Sequence, residues 1–170
     1  MDKEVYVKGL LDELTITRDK YVKDQTIDNY KIFEDAFLNF FDYLRMSMEL
    51  ADISHLAKNE KGLIDKKRQE KLIYLGVFFH FLRNVKLDVM SPTIAGVGLG
   101  LGGFFMVLNP LILCTFDIDG IIGILEHEAM HVLSNHFGQK DNYENMFPKL
   151  KHESFNRATD VICNRVAFPD

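Results

Sequence analysis

At 170 residues, 47% apolar and 26% charged, the chain has the size and balance of an ordinary globular domain able to bury a sizeable core. Its formal net charge of −5 and lack of a basic stripe argue against a nucleic-acid partner, which is held by neutralising backbone phosphates. The two cysteines, Cys114 and Cys163, lie far apart in apolar surroundings and read as small buried hydrophobes of a reducing compartment, not as a disulfide framework. Met1-Asp2-Lys3-Glu4-Val5 carries no secretory pattern, so the expected location is cytoplasmic.

In chain order, the first ninety residues read as helices. Val5 to Tyr21 places Tyr6, Leu10, Leu11, Leu14 and Ile16 at helical spacing. Ile27 to about Leu56 is the longest periodic segment, crowded with Phe33, Phe37, Phe40, Phe41 and Leu44. Asn59 to Gly62 reads as a break, and Asp65 to about Val85 as a third helix through Leu72, Leu75, Phe78, Phe79 and Leu82. The densest basic run, Lys66 to Lys71, shares that helix with Asp65 and Glu70 and reads as a solvated face. His55 and His80 lie on these helices with no carboxylate or second histidine beside them, and read as structural.

Ser91-Pro92 closes the helical part. From Val89 to Phe116 no residue is charged, a run long enough to cross a bilayer. Gly96, Gly98, Gly100, Gly102, Gly103 and Asn109-Pro110 interrupt it, however, and Phe104 to Leu108 favours a strand. Two strands with a turn near Gly102-Gly103 fit better, so no membrane partner is expected. No Gly-Lys-Ser/Thr follows the glycines, which therefore read as sites of close backbone packing and not as a phosphate cradle.

Asp117 or Asp119 caps the next helix, expected to run to about Phe137 and stop at Gly138. Thr115, Asp117, Asp119, Gly120 and Glu126 also fit positions of a calcium-loop count, but apolar Ile121 to Leu125 stands where such a loop must turn. Capping explains the aspartates. Within this helix lies His127-Glu128-Ala129-Met130-His131. Four residues advance about 400°, so both imidazoles leave one face, one turn apart. Two neutral nitrogens so placed can hold Zn²⁺ at about 2.0–2.1 Å. Glu128 sits beside the first ligand, off the ligand line, where it serves as general base toward water. The competing reading is an exposed helix whose histidines and glutamate are merely solvated.

A polar loop, Gln139 to Glu144, leads to a last helix over about Glu153 to Phe168. A catalytic zinc generally takes three protein ligands, and four downstream residues are candidates for the third: His136, His152, Glu153 and Asp160. His136 would lie about 140° from His131 on an unbroken helix, and no glycine intervenes to turn the chain back. His152 and Glu153 stand near a helix start. Asp160 has Asn156 and Asn164 four residues to either side on one face, an arrangement suited to a ligand supported by hydrogen-bonding amides. The alternative for Asp160 is a surface carboxylate near Arg157 and Arg165. Cys163 is a weaker ligand candidate.

The glycine-rich strand pair, Asn109-Pro110, His127-Glu128-x-x-His131 with His136, and Asn156-x-x-x-Asp160-x-x-x-Asn164 resemble the metallopeptidase domain of the predicted metal-dependent peptidases. The likeness runs from about Pro92 to Asn164, and more loosely over the helices before it. It implies a zincin-like fold with an edge strand over the motif helix. It also implies His127 and His131 as ligands, Asp160 as the third, and Glu128 as base. In that family a von Willebrand factor A-like domain usually follows; none is expected within these residues.

The expected fold is therefore α+β, a single zincin-like domain over 1–170, with 1–90 helical and 91–170 carrying a small glycine-rich sheet, the motif helix and a ligand helix. The expected activity is zinc-dependent hydrolysis of a peptide or protein substrate, lying extended along a sheet edge at Gly103 to Leu108. His136, Tyr143 and His152 are oxyanion-donor candidates by type. The rival reading is a non-catalytic zincin-like module in which metal staples two helices for structure or protein interaction.

Overall fold

A computed structural model describes residues 2–58, 61–136, 139 and 152–167, with the backbone alone for 152–155, 166 and 167. Helix α1 (Lys3–Lys23) starts at Asp2, whose side chain accepts from the Glu4 N–H, and α2 (Ile27–Glu49) at Thr26, which accepts from Asn29. Helix α3 (Lys66–Phe81) starts at Asp65, which accepts from Lys67 and Arg68. Each side chain satisfies amides that a helix start leaves without partners.

Phe33, Phe37, Phe40, Phe41, Leu44 and Met48 form one stripe of α2 and are fully or almost fully buried. They join Val7 and Leu14 of α1 and Leu72, Leu75, Phe78 and Phe79 of α3 in one core. Each such side chain contributes roughly 1.5–3 kcal/mol of apolar transfer. Gly76 sets the α2–α3 distance: a Cβ there would lie 2.3 Å from the Met48 carbonyl oxygen.

Two of these three helices are shorter than their periodicity predicts. The second stops at Glu49, because Ala51 takes a left-handed φ of 54° and Asp52 N–H bonds back to Ser47 O. His55 consequently sits in the loop after α2, its Nε2 3.0 Å from the Tyr43 hydroxyl. The third stops at Phe81, and Leu82–Leu87 is a strand, β1. The first ninety residues are thus not all helical. Leu82, Val85 and Leu87 suit either period over so short a run, and pairing with a distant strand decides the outcome.

β2 (Ala95–Gly100) and β3 (Gly103–Leu108) form the expected antiparallel hairpin, with Gly103 at a φ of 121° in the turn. β1 pairs with β3 in parallel, giving the order β1-β3-β2. The central strand is therefore Gly103–Leu108, paired on both sides. It has no free edge for a substrate, which corrects the sequence expectation; the edges belong to β1 and β2.

After β3, buried Asn109 organises the chain in two directions. Its Oδ1 accepts from Leu111 and Ile112, capping the short α4 (Pro110–Leu113), while Nδ2 donates to Val89 O and Ser91 O. The loop leading into β2 is thereby fastened to the end of β3. Helix α5 (Ile118–Leu133) is capped by Asp117, which accepts from Gly120. Asp119 pairs instead with Arg68 of α3, and Lys71 meets Glu126 at 3.2 Å. Ile121, Ile122, Leu125 and Ala129 are buried in the core. A last helix, α6 (His152–Ala167), packs on α5.

The architecture is mixed α+β. Among the described residues no helix is long and apolar enough to cross a membrane. Phe137, Gly138 and most of the polar loop, Tyr143 included, lie outside the described residues.

Candidate metal centre

Two helices supply the centre. From α5, His127 and His131 project one turn apart, their Nε2 atoms 3.2 Å from each other. From α6, Asp160 brings Oδ1 to 3.3 Å from His131 Nε2 and 3.9 Å from His127 Nε2. Donors bonded at about 2.0–2.1 Å around one tetrahedral cation stand roughly 3.4 Å apart. These three spacings fit that, and two imidazoles with one carboxylate are a donor set zinc accepts. The described residues thus hold a group able to bind a metal ion.

Behind the Nδ1 of each imidazole stands a polar partner. His127 Nδ1 lies 2.9 Å from Asn164 Oδ1, so its N–H is spent there and its Nε2 keeps a lone pair for a cation. Asn156, the other amide of the predicted pair, is exposed and contributes its carbonyl, which accepts from Thr159 Oγ1. The side chains of His152 and Glu153 lie outside the described residues.

His136 departs from the helical expectation. The helix ends at Leu133, Ser134 caps it, and Asn135 adopts a left-handed φ of 53°. Asparagine tolerates that conformation, so the chain folds back without a glycine. It carries buried His136 to within 3.1 Å of His131, Nδ1 to Nδ1. Fully buried Cys163 follows at 3.9 Å from the same His136 nitrogen. His131, His136 and Cys163 form a second group with metal-ligand spacing. Both His136 and Cys163 rank low on sequence grounds; an asparagine after the motif helix is the signal that points to the turn.

Electrostatics prepare the groups. Burial, reinforced by His127, pushes the His131 imidazole down to about 4, and burial lowers His136 as well. Both are neutral at pH 7, the form in which imidazole ligates. The Cys163 thiol is pushed up to about 11 by burial, with the charges of Asp160 and Glu128 adding to it. Glu128 is 8% exposed. Burial, together with Asp160, raises its carboxyl to about 7 against the opposing pull of a hydrogen bond from the Val97 backbone.

That last bond locates β2. Because Ile94 O accepts from Asn109 N–H, antiparallel alternation turns the peptide groups of Ala95, Val97 and Leu99 away from β3. The outer edge of β2 therefore faces Glu128. Beside it opens a cleft of about 470 Å³, walled by Pro92, Ile94, Ala95, Phe116 and Ile124, with His127, Glu128 and Asn164 also on its lining.

No protein-family model, curated protein or solved structure matches this chain.

Proposed function

We propose that the protein is a zinc-dependent peptidase of zincin-like fold. The observation that carries this reading is the meeting of His127, His131 and Asp160 at ligand spacing, with the buried carboxyl of Glu128 adjoining and the outer edge of β2 alongside. His127 Nε2, His131 Nε2 and Asp160 would hold the ion. When bound, zinc supplies a Lewis acid that polarises the scissile carbonyl and acidifies water.

The protein's own residues do the rest. Glu128 accepts a proton from the attacking water as its oxygen bonds to the carbonyl carbon. It then delivers that proton to the amide nitrogen as the C–N bond breaks. The substrate lies extended along β2, hydrogen-bonding to the outward peptide groups of Ala95 and Leu99. An apolar side chain next to the scissile bond fills the cleft walled by Ile94, Phe116 and Ile124.

The rival, a metal staple without catalysis, needs a closed coordination sphere. His136 stands on the Nδ1 side of His131, opposite Asp160, so it does not close the sphere on the Nε2 side. Metal analysis of the purified protein, followed by incubation with a mixed peptide library, tests the proposal. Stoichiometric zinc with cleavage that disappears in Glu128→Gln is the expected result. Stoichiometric zinc with no cleavage of any peptide establishes the staple instead.

A further inference from the structure

Neutral imidazole carries one N–H and one lone pair, and only the nitrogen with the lone pair can ligate. The two ring nitrogens of His131 face different neighbours: Nε2 meets His127 and Asp160, while Nδ1 meets His136. Two Nδ1 atoms 3.1 Å apart share a single proton. If His136 donates it, His131 must carry its own proton on Nε2, aimed into the metal centre, and cannot bind. If His131 donates, its Nε2 presents a lone pair to the ion.

We infer that His136 is a positioning residue, whose Nδ1 accepts from His131 Nδ1–H and so commits the Nε2 of His131 to the metal. This rests on the metal centre proposed above. Two observations support it. His136 is 6% exposed, so water does not readily take its place. The left-handed turn at Asn135 fixes its approach. His127 has the parallel arrangement, with Asn164 Oδ1 behind its Nδ1. Both ligands are thus backed by neutral acceptors, where a carboxylate is a common partner.

The test compares zinc affinity, by competition with a chromophoric chelator, for the native protein, His136→Leu and His136→Asn. The leucine removes the acceptor, while the asparagine can return an oxygen near the position of Nδ1. Zinc binding should weaken about 10–100-fold in His136→Leu and recover most of that loss in His136→Asn. Long-range proton–nitrogen NMR of the native zinc form should show His131 protonated at Nδ1 and metallated at Nε2, a readout that stands even if the leucine variant misfolds. His131 metallated at Nδ1 overturns the inference. So does a thiolate-to-cobalt absorption band in the cobalt form that Cys163→Ser abolishes, since it places the ion on the other side of the ring. A folded His136→Leu variant with native zinc affinity refutes it too. Native protein that binds no zinc defeats the proposed function as well, whereas native binding and cleavage with indifferent variants defeats this inference alone.

Discussion

Replacing Glu128 by glutamine separates the physics of its burial from its chemistry. In the metal-free protein its carboxyl rises from the ordinary 4.5 to about 7 because it is buried. A group whose folded pKa is raised contributes stability that is present below its unfolded pKa and lost as pH climbs through the folded value. At about 1.36 kcal/mol per pKa unit, the interval from 4.5 to about 7 corresponds to about 3 kcal/mol, lost progressively between those two values. Glutamine is isosteric, uncharged, and retains an oxygen to accept from Val97. Thermal unfolding in chelator should therefore show the two proteins close together near pH 4.5, with Glu128→Gln melting roughly 6–12 °C higher near pH 8. Other titrating groups, His131 among them, are common to both, so the difference isolates Glu128. Adding zinc should narrow the gap, since a nearby cation favours the carboxylate. With zinc present, peptide cleavage should fall at least about 10²-fold in the variant while metal content stays the same. Stability curves that run parallel from about pH 4.5 to 8 would refute the reasoning, because a buried carboxyl that resists ionisation must separate them.

Asn164→Ala leaves His127 Nδ1 without its acceptor and should lower zinc affinity about 10–100-fold; Asp160→Ala, which removes a donor atom, should cost more in the same chelator competition. Asn109→Ala removes four hydrogen bonds of a side chain 3% exposed and should destabilise by about 2 kcal/mol or more in urea unfolding. Because the loop before β2 is released as well, KM for peptides should rise. Gly76→Ala forces a Cβ against the Met48 carbonyl and should cost about 1–3 kcal/mol by overpacking, whereas Gly9→Ala, with nothing within 4 Å, should be neutral or mildly stabilising. Equal stability of the two alanine variants would contradict the close α2–α3 approach.

Much of the site is legible in the sequence because it is written in short-range spacing. His127 and His131 need only a helical turn between them, and Asn164 follows Asp160 by the same interval. The Gly-rich hairpin is legible from composition, since its glycines and β-favouring residues flank a turn. What escapes a sequence reading are features settled across long separations. Leu82 to about Val85 reads as a continuation of α3, and only parallel pairing with β3 draws it into the sheet. Gly103–Leu108 reads as the substrate edge because that run is the most strand-like, yet those residues attract partners on both sides and leave β2 at the edge of the sheet. His136 points away from the ligands only if the helix is unbroken, and one left-handed residue, Asn135, removes that condition.

By itself, then, the order of residues determined which chemistry is on offer: two imidazoles on one helical face, a carboxyl next to the first, and a second helix carrying an aspartate between amides. Local backbone geometry suffices for that, since it depends on neighbours three or four positions away. Only the tertiary structure decided what surrounds those groups, because burial, partner and direction depend on segments distant in the chain. It is the fold that seals Glu128 under β2 and turns Asp160 toward both histidines. It also places His136 and Cys163 behind His131, a choice of ring face that no spacing in the sequence encodes.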